Sequence, residues 1–139
     1  MSGGLLLDTV VVSELRKGTA ADPAVIAWQA GVATIPAYLS VITLLEIRQG
    51  LRQVQRRDPA FAARLEVWYT GRLLPRFRDH LLPVDQAVAE AAAELGSRRT
   101  LPAHDALIAA TAQVHGLTLV TRNQADFADL GLPLVNPWD

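Results

Sequence analysis

Four acidic residues of this 139-residue chain lie beside apolar sequence instead of in a charged stretch, and they are Asp8, Glu46, Asp105 and Asp126. A carboxylate with apolar neighbours costs free energy unless it is paired, hydrogen-bonded or bound to a cation. If the fold brings all four together, their mutual repulsion calls for a divalent metal. The sequence therefore predicts a metal site built from carboxylate oxygens.

The first two acids each have an ordinary structural explanation as well. Asp8 follows the apolar run Leu5–Leu7, where aspartate commonly forms an Asx turn or a helix cap. Glu46 could pair with an arginine of its own helix, but Arg48 is two residues away and does not share its face. Gly50 lies one turn beyond Glu46 and costs about 1 kcal/mol relative to alanine in a helix interior. We expect this glycine to allow close approach of another backbone beside Glu46.

The other two acids lie near predicted helix starts. The helix macrodipole stabilises an anion such as Asp105 by roughly 0.3–1 kcal/mol. The same face carries Ile108 and must be buried, so the carboxylate is expected to point into the protein or a cleft floor. Asp126 follows Asn123 by three residues, an arrangement that resembles a capping box. Alternatively, Thr121 and Asn123 orient a metal ligand or its water.

Short apolar runs alternate with helical patterns, which predicts an α/β fold around a mainly parallel sheet. We expect strands at residues 5–7, 37–39, 81–84, 117–120 and 134–135. We expect helices at residues 23–28, 41–55, 59–73, 86–96 and 102–115. The predicted N-caps are Asp22, Ser40, Asp58 and Asp85, and Gly116 is expected to end the last helix. Because the carboxyl ends of parallel strands share one edge, Asp8 and the 121–126 segment should meet there, where such folds bind ligands.

Length and composition restrict the classes of protein. The chain is expected to form a single domain over residues 1–139. Half of its residues are hydrophobic, but no apolar run approaches the roughly 20 residues that cross a bilayer. Residues 1–4 lack a basic region and Leu5–Leu7 is too short for a signal-peptide core, which predicts a cytoplasmic protein. The net charge of −1 does not indicate nucleic-acid binding by itself.

The chain has no cysteine, so a metal would be held by oxygen or imidazole. His104 and His115 lie about 16 Å apart along one predicted helix, and His80 has no neighbour in sequence, so all three are expected to be surface or capping residues. Oxygen-only ligation suits Mg²⁺ or Mn²⁺. Such a metal neutralises charge on a phosphodiester and activates a water for its hydrolysis.

Several motifs together resemble one family. LLLDT at residues 5–9, LEIRQG at 45–50, HDALIAATA at 104–112, LVTRNQADF at 119–127 and VNPW at 135–138 resemble the PIN-domain ribonucleases, and most closely the VapC-type toxins with their FitB-like branch. The resemblance implies a three-layer α/β/α fold, a homodimer, and Mg²⁺- or Mn²⁺-dependent endonucleolytic cleavage of RNA. It also implies a small VapB-like antitoxin covering the acidic pocket. The family's acidic residues map to Asp8, Glu46, Asp105 and Asp126, with no further cofactor.

One departure keeps other functions open. The family usually has asparagine two residues after the first aspartate, and this chain has Val10. A weakened site would leave a non-enzymatic module that acts through its antitoxin or a DNA-binding partner. A phosphatase with Asp8 as nucleophile is disfavoured, because Val10 cannot act as its general acid and Lys17 is the only lysine.

If the substrate is RNA, Arg48, Arg72 and Arg122 are predicted to contact its phosphate backbone.

Overall fold

The computed structural model of this chain describes residues 3–139. Met1 and Ser2 lie outside the described residues. Both belong to the predicted single domain and to the N-terminal segment predicted to lack basic residues. The strands are β1 (Leu5–Leu7), β2 (Ala37–Ser40), β3 (Leu81–Leu82), β4 (Thr118–Val120) and β5 (Leu134–Val135). The helices are α1 (Thr9–Leu15), α2 (Pro23–Gly31), α3 (Val41–Arg57), α4 (Pro59–Trp68), α5 (Leu74–Phe77), α6 (Gln86–Arg98) and α7 (Ala103–His115).

The five strands form one parallel sheet in the order β3-β2-β1-β4-β5. Leu5 pairs with Ala37 of β2 and with Thr118 of β4, so β1 lies at the centre. The backbone N–H of Asp8 donates to Val120 O at 2.9 Å, which extends this pairing to the end of the strand. The predicted α/β class with a parallel central sheet is confirmed.

The sheet is covered on both faces, because successive side chains of a strand point to opposite sides. Leu6 is fully buried in a core with Val88 of α6 and Ile108 of α7. Leu5 and Leu7 belong to a second core on the other face, formed with α1, α2 and the segment from α4 to α5. Two cores separated by one sheet give the three-layer α/β/α arrangement that the sequence predicted.

The predicted N-caps are present in the structure. Asp22, Ser40, Asp58 and Asp85 accept hydrogen bonds from the N–H groups of Ala24, Ile42, Phe61 and Val88. Gly116 ends α7 in the left-handed conformation with φ of 65°, which glycine adopts without strain. Local side-chain chemistry therefore sets most helix starts of this domain.

Four features differ from the predictions. The apolar residues after Asp8 form α1, which the sequence pattern left unassigned. The long helix from Pro59 is interrupted by a π-helical segment at Tyr69–Leu73, so it ends as two helices. The third strand is only Leu81–Leu82. The predicted capping box at Asn123 is wrong, because its side chain makes no cap and Gln124–Phe127 is a short 3₁₀ helix.

Within residues 3–139, no helix combines the length and apolar character needed to cross a bilayer.

Gly4, just before β1, provides a test of this packing. A Cβ added there would lie 2.8 Å from Tyr38 Cε1 and 2.9 Å from Leu117 Cδ2. Tyr38 cannot easily move, because its ring stacks on His80 with a centroid distance of 4.5 Å. We expect Gly4→Ala to lower the free energy of unfolding by roughly 1–3 kcal/mol in urea titrations.

The control is Gly96→Ala in α6, where an added Cβ meets no atom within 4 Å. Its gain in helix propensity should stabilise the fold by roughly 0.5–1 kcal/mol. Equal unfolding midpoints for the two variants would contradict the packing described at β1.

Candidate functional site

Asp8 lies at the carboxyl end of the central strand and is 7% exposed. Its Oδ1 accepts from the backbone N–H of Thr9 at 2.8 Å, which makes it the N-cap of α1. Its Oδ2 accepts from Thr121 Oγ1 at 2.8 Å, from the segment that follows β4. Both oxygens are thus oriented by groups from two neighbouring strand ends.

Thr121 and Asn123 form the connection behind this carboxylate. Thr121 is fully buried and also accepts from the backbone N–H of Asn123 at 3.1 Å. Asn123 acts here through its backbone, whereas its side chain was the predicted participant. The segment after β4 therefore holds Asp8 in place chiefly through one hydroxyl group.

Glu46 lies in the second turn of α3 and faces α1 and α7. Its Oε1 accepts a short hydrogen bond from Thr9 Oγ1, and Thr43 Oγ1 is 3.3 Å from the same threonine hydroxyl. Its Oε2 accepts from His104 Nδ1 at 3.1 Å. These contacts orient the Glu46 carboxylate toward the edge at which Asp8 lies.

Asp105 lies in the first turn of α7, above the fully buried Ile108 and Ala109. Burial raises the pKa of its carboxyl, and the negative charges of Asp8, Glu46 and Asp126 raise it further, while His104 lowers it. Asp105 therefore lies within electrostatic range of the other three predicted acids.

The pKa of the Asp8 carboxyl is also raised. Burial is the largest cause of its raised pKa, the hydrogen bonds from Thr121 and Thr9 oppose the rise, and Glu46 and Asp126 add to it. A group whose charged form is disfavoured by burial and by like charges is stabilised when a cation joins it. The electrostatics of this edge therefore favour binding of a positive ion.

The donor set fits a hard divalent ion, because carboxylates are what Mg²⁺ and Mn²⁺ prefer. Among residues 3–139, no group of three or more Asp, Glu or His side chains is placed so that it could hold a metal ion. Mg²⁺ keeps several waters and takes only one or two carboxylates directly.

Sequence reasoning missed two residues that contact Glu46. Thr9 and His104 contact Glu46, although His104 was expected at the surface or at a cap. Contacts across 37 and 58 residues leave no periodic signal in a sequence. Arg48, a predicted RNA contact, instead donates to Glu66 at 2.7 Å and lies 4.5 Å from the centroid of Tyr69. Arg48 therefore joins α3 to α4.

The chain matches the PIN domain family model over residues 5–132. It is 37% identical to the "VapC ribonuclease Y4jK" of Sinorhizobium fredii, covering 97% of this chain and 98% of the relative. It is 33% identical to "Toxin FitB" of Neisseria gonorrhoeae, covering 96% of this chain and 98% of that protein.

Two solved structures also resemble this chain over nearly its whole length. The crystal structure of FitAcB from Neisseria gonorrhoeae superposes with a TM-score of 0.86 at 32% identity, covering 96% of this chain and 98% of that one. A toxin-antitoxin complex from Klebsiella pneumoniae superposes with a TM-score of 0.67 at 29% identity, covering 98% and 99%. The likeness extends over nearly the whole length of each chain.

Asp105→Asn tests the repulsion at this edge. The pKa of Asp105 is raised above its ordinary 3.8, so the folded protein holds this proton to higher pH than the unfolded chain does. The free energy of unfolding of the metal-free protein should therefore fall as pH rises above 3.8 through the raised pKa. We expect Asp105→Asn to weaken this fall and to raise Tm in EDTA at neutral pH.

The matched control is Asp79→Asn, because Asp79 is exposed and precedes β3. It therefore lies at the amino ends of the strands, away from the carboxyl ends where Asp105 lies. Thermal melts across pH separate the two variants. If both variants have the same Tm and pH profile, like-charge repulsion does not act on Asp105.

Proposed function

Because this chain belongs to the PIN-domain family, we propose that it is the toxin of a toxin–antitoxin pair and cleaves RNA as an endoribonuclease. The observation that carries the proposal is the buried Asp8 carboxylate at the carboxyl end of β1, which Thr9 and Thr121 hold and whose pKa is raised by burial and by the charges of Glu46 and Asp126. The relatives named as a VapC ribonuclease and as toxin FitB support the activity and the role.

We assign these four carboxylates as the catalytic and metal-binding residues, with Mg²⁺ or Mn²⁺ as the ion. Bound there, the ion would offset their repulsion, neutralise charge on a phosphodiester and lower the pKa of a coordinated water. Asp8 is the best-oriented ligand, since Thr9 and Thr121 fix both of its oxygens. The chain's own hydrogen bonds thus prepare the geometry before any ion binds.

The remaining residues of the site position these ligands. Thr9 and His104 hold the two oxygens of Glu46, which keeps that side chain from turning toward solvent. Thr121 holds Asp8 and is itself fixed by the sheet, because its N–H donates to Val135 O at 2.9 Å. Groups that orient metal ligands affect metal affinity by about 10–100-fold.

The proposal includes partners and assembly. A small antitoxin is supported by the likeness to a toxin-antitoxin complex from Klebsiella pneumoniae. We propose that it covers the acidic edge, that the toxin is a homodimer, and that residues 1–139 form one PIN domain whose substrate is RNA.

Purified protein incubated with end-labelled structured RNA and Mg²⁺ or Mn²⁺ should produce discrete cleavage products. Removing one ligand forfeits several kcal/mol of transition-state stabilisation, so Asp8→Asn should slow cleavage about 10²-fold or more. EDTA should abolish cleavage, and added Mn²⁺ should restore it. Rates are measured from gel-resolved products.

Asp79→Asn serves again as the matched control and should retain the wild-type rate. Cleavage that continues in EDTA, or that Asp8→Asn leaves intact, would contradict the proposed role of this edge.

Val10→Asn tests the departure from the family pattern. Val10 is 41% exposed in the first turn of α1, so the change should cost little stability. An amide beside Asp8 supplies a further hydrogen-bonding group, and we expect Mn²⁺ affinity to rise by up to about 10-fold. Isothermal titration with Mn²⁺ measures this, and Val10→Ala is the control for loss of the valine.

The same pair of variants tests the catalytically weakened module. Wild-type protein that does not cut RNA, together with a Val10→Asn variant that does, would favour the module over the enzyme. Equal Mn²⁺ affinity in Val10→Asn and Val10→Ala would contradict an orienting role for this position.

A further inference from the structure

A groove of about 290 Å³ runs from the acidic edge along the surface between α1, α3 and α4. At one end it is lined by Thr9 and Glu46 of the candidate site. It is also lined by Arg16, which follows α1, by Arg57 at the end of α3 and by Phe61 in the first turn of α4. The groove therefore joins the acidic edge to an arginine-rich surface.

Gly50 lines this groove in the interior of α3. A Cβ built on it meets no atom of residues 3–139 within 4 Å, and its φ is not positive. The backbone approach expected beside this glycine is therefore wrong for this part of the chain. Glycine weakens a helix interior, and here neither packing nor backbone conformation requires it. The absence of a side chain at Gly50 leaves open space in the groove.

Much of the groove lining is apolar and includes the aromatic residues Phe61 and Trp68, and the charged residues of the lining favour an anionic occupant. Glu46 is its only acidic lining residue within residues 3–139, whereas Arg16 and Arg57 both line it. The guanidinium of Arg16 lies 5.6 Å from the centroid of Phe61, and that of Arg64 lies 5.4 Å from the same ring. Guanidinium groups held against an aromatic ring can stack on nucleobases or bind phosphates.

We infer that this groove receives the single-stranded RNA segment on one side of the scissile phosphodiester, an inference that rests on the proposed ribonuclease function. The strand passes over Gly50, and Arg16 and Arg57 contact its phosphates. Single-stranded nucleic acids bind in this way, in positively charged grooves that track the backbone beside stacking groups. Continuity with Thr9 and Glu46 places the bound strand directly at the acidic edge.

Gly50→Gln is the most direct test, because an added Cβ at this groove-lining position meets no atom of residues 3–139 within 4 Å. Glutamine also has the higher helix propensity, so Tm should equal or exceed that of the wild type. We expect KM for a mixed-sequence single-stranded RNA to rise at least about tenfold, with a much smaller change in kcat at saturating RNA. Gly50→Ala, with its shorter side chain, should produce a smaller rise in KM.

Arg57→Gln tests the phosphate contact. Fluorescence anisotropy with labelled RNA in EDTA should show weaker binding, and the slope of log affinity against log salt should decrease in magnitude by about 0.7. Arg78→Gln is the matched control, because Arg78 is exposed and precedes β3 at the other edge of the sheet. It should leave both affinity and slope at wild-type values.

The outcomes separate this inference from the proposed function. Wild-type protein that neither binds nor cuts RNA overturns the proposed function itself. If the wild type cleaves RNA, but Gly50→Gln leaves KM unchanged and Arg57→Gln leaves the salt slope unchanged, the inference that RNA binds in the groove is wrong. The proposed function is then unaffected. If instead Gly50→Gln keeps its RNA affinity and loses inhibition by the antitoxin, the groove serves a protein partner and the inference is wrong.

Discussion

Repulsion of Asp8 and Asp105 by neighbouring carboxylates is the main electrostatic constraint at the carboxyl edge of this sheet. The parallel sheet forces the strand ends to meet, so the carboxylate after β1 lies beside the segment after β4. Burial and like charges raise the pKa of Asp8 and Asp105. Hydrogen bonds from Thr9, Thr121 and His104 hold the carboxylates of Asp8 and Glu46 in fixed positions.

The rest of the architecture supports that edge. Leu6 and its neighbours fix β1 between two cores, so the position of Asp8 is determined by packing on both faces of the sheet. Glu46 and Asp105 belong to helices α3 and α7, which lie outside the sheet. The contact of His104 with Glu46 joins the two helices. A site assembled from four separate segments is precise because each segment is anchored in a core. The groove beside α3 extends this edge toward the arginines.

Much of this structure could be predicted from sequence because its signals are local. Aspartate or serine at a helix start, glycine after α7 and short apolar strands identified most helices and strands. Helix α1 was missed, because a run of β-branched residues after Asp8 gives no helical period. His104 was missed because its partner Glu46 is 58 residues away. The open groove at Gly50 was misjudged, since a sequence does not show whether space beside a glycine is filled.

Anomalous diffraction from crystals of the full chain grown with Mn²⁺ would test the shared acidic edge most directly. The account predicts a manganese peak at the carboxyl ends of β1 and β4, with an oxygen of Asp8 and at least one oxygen of Glu46, Asp105 or Asp126 as ligands. It would be contradicted by a manganese peak bound elsewhere, or by these side chains pointing away from one another in crystals of protein that still cuts RNA.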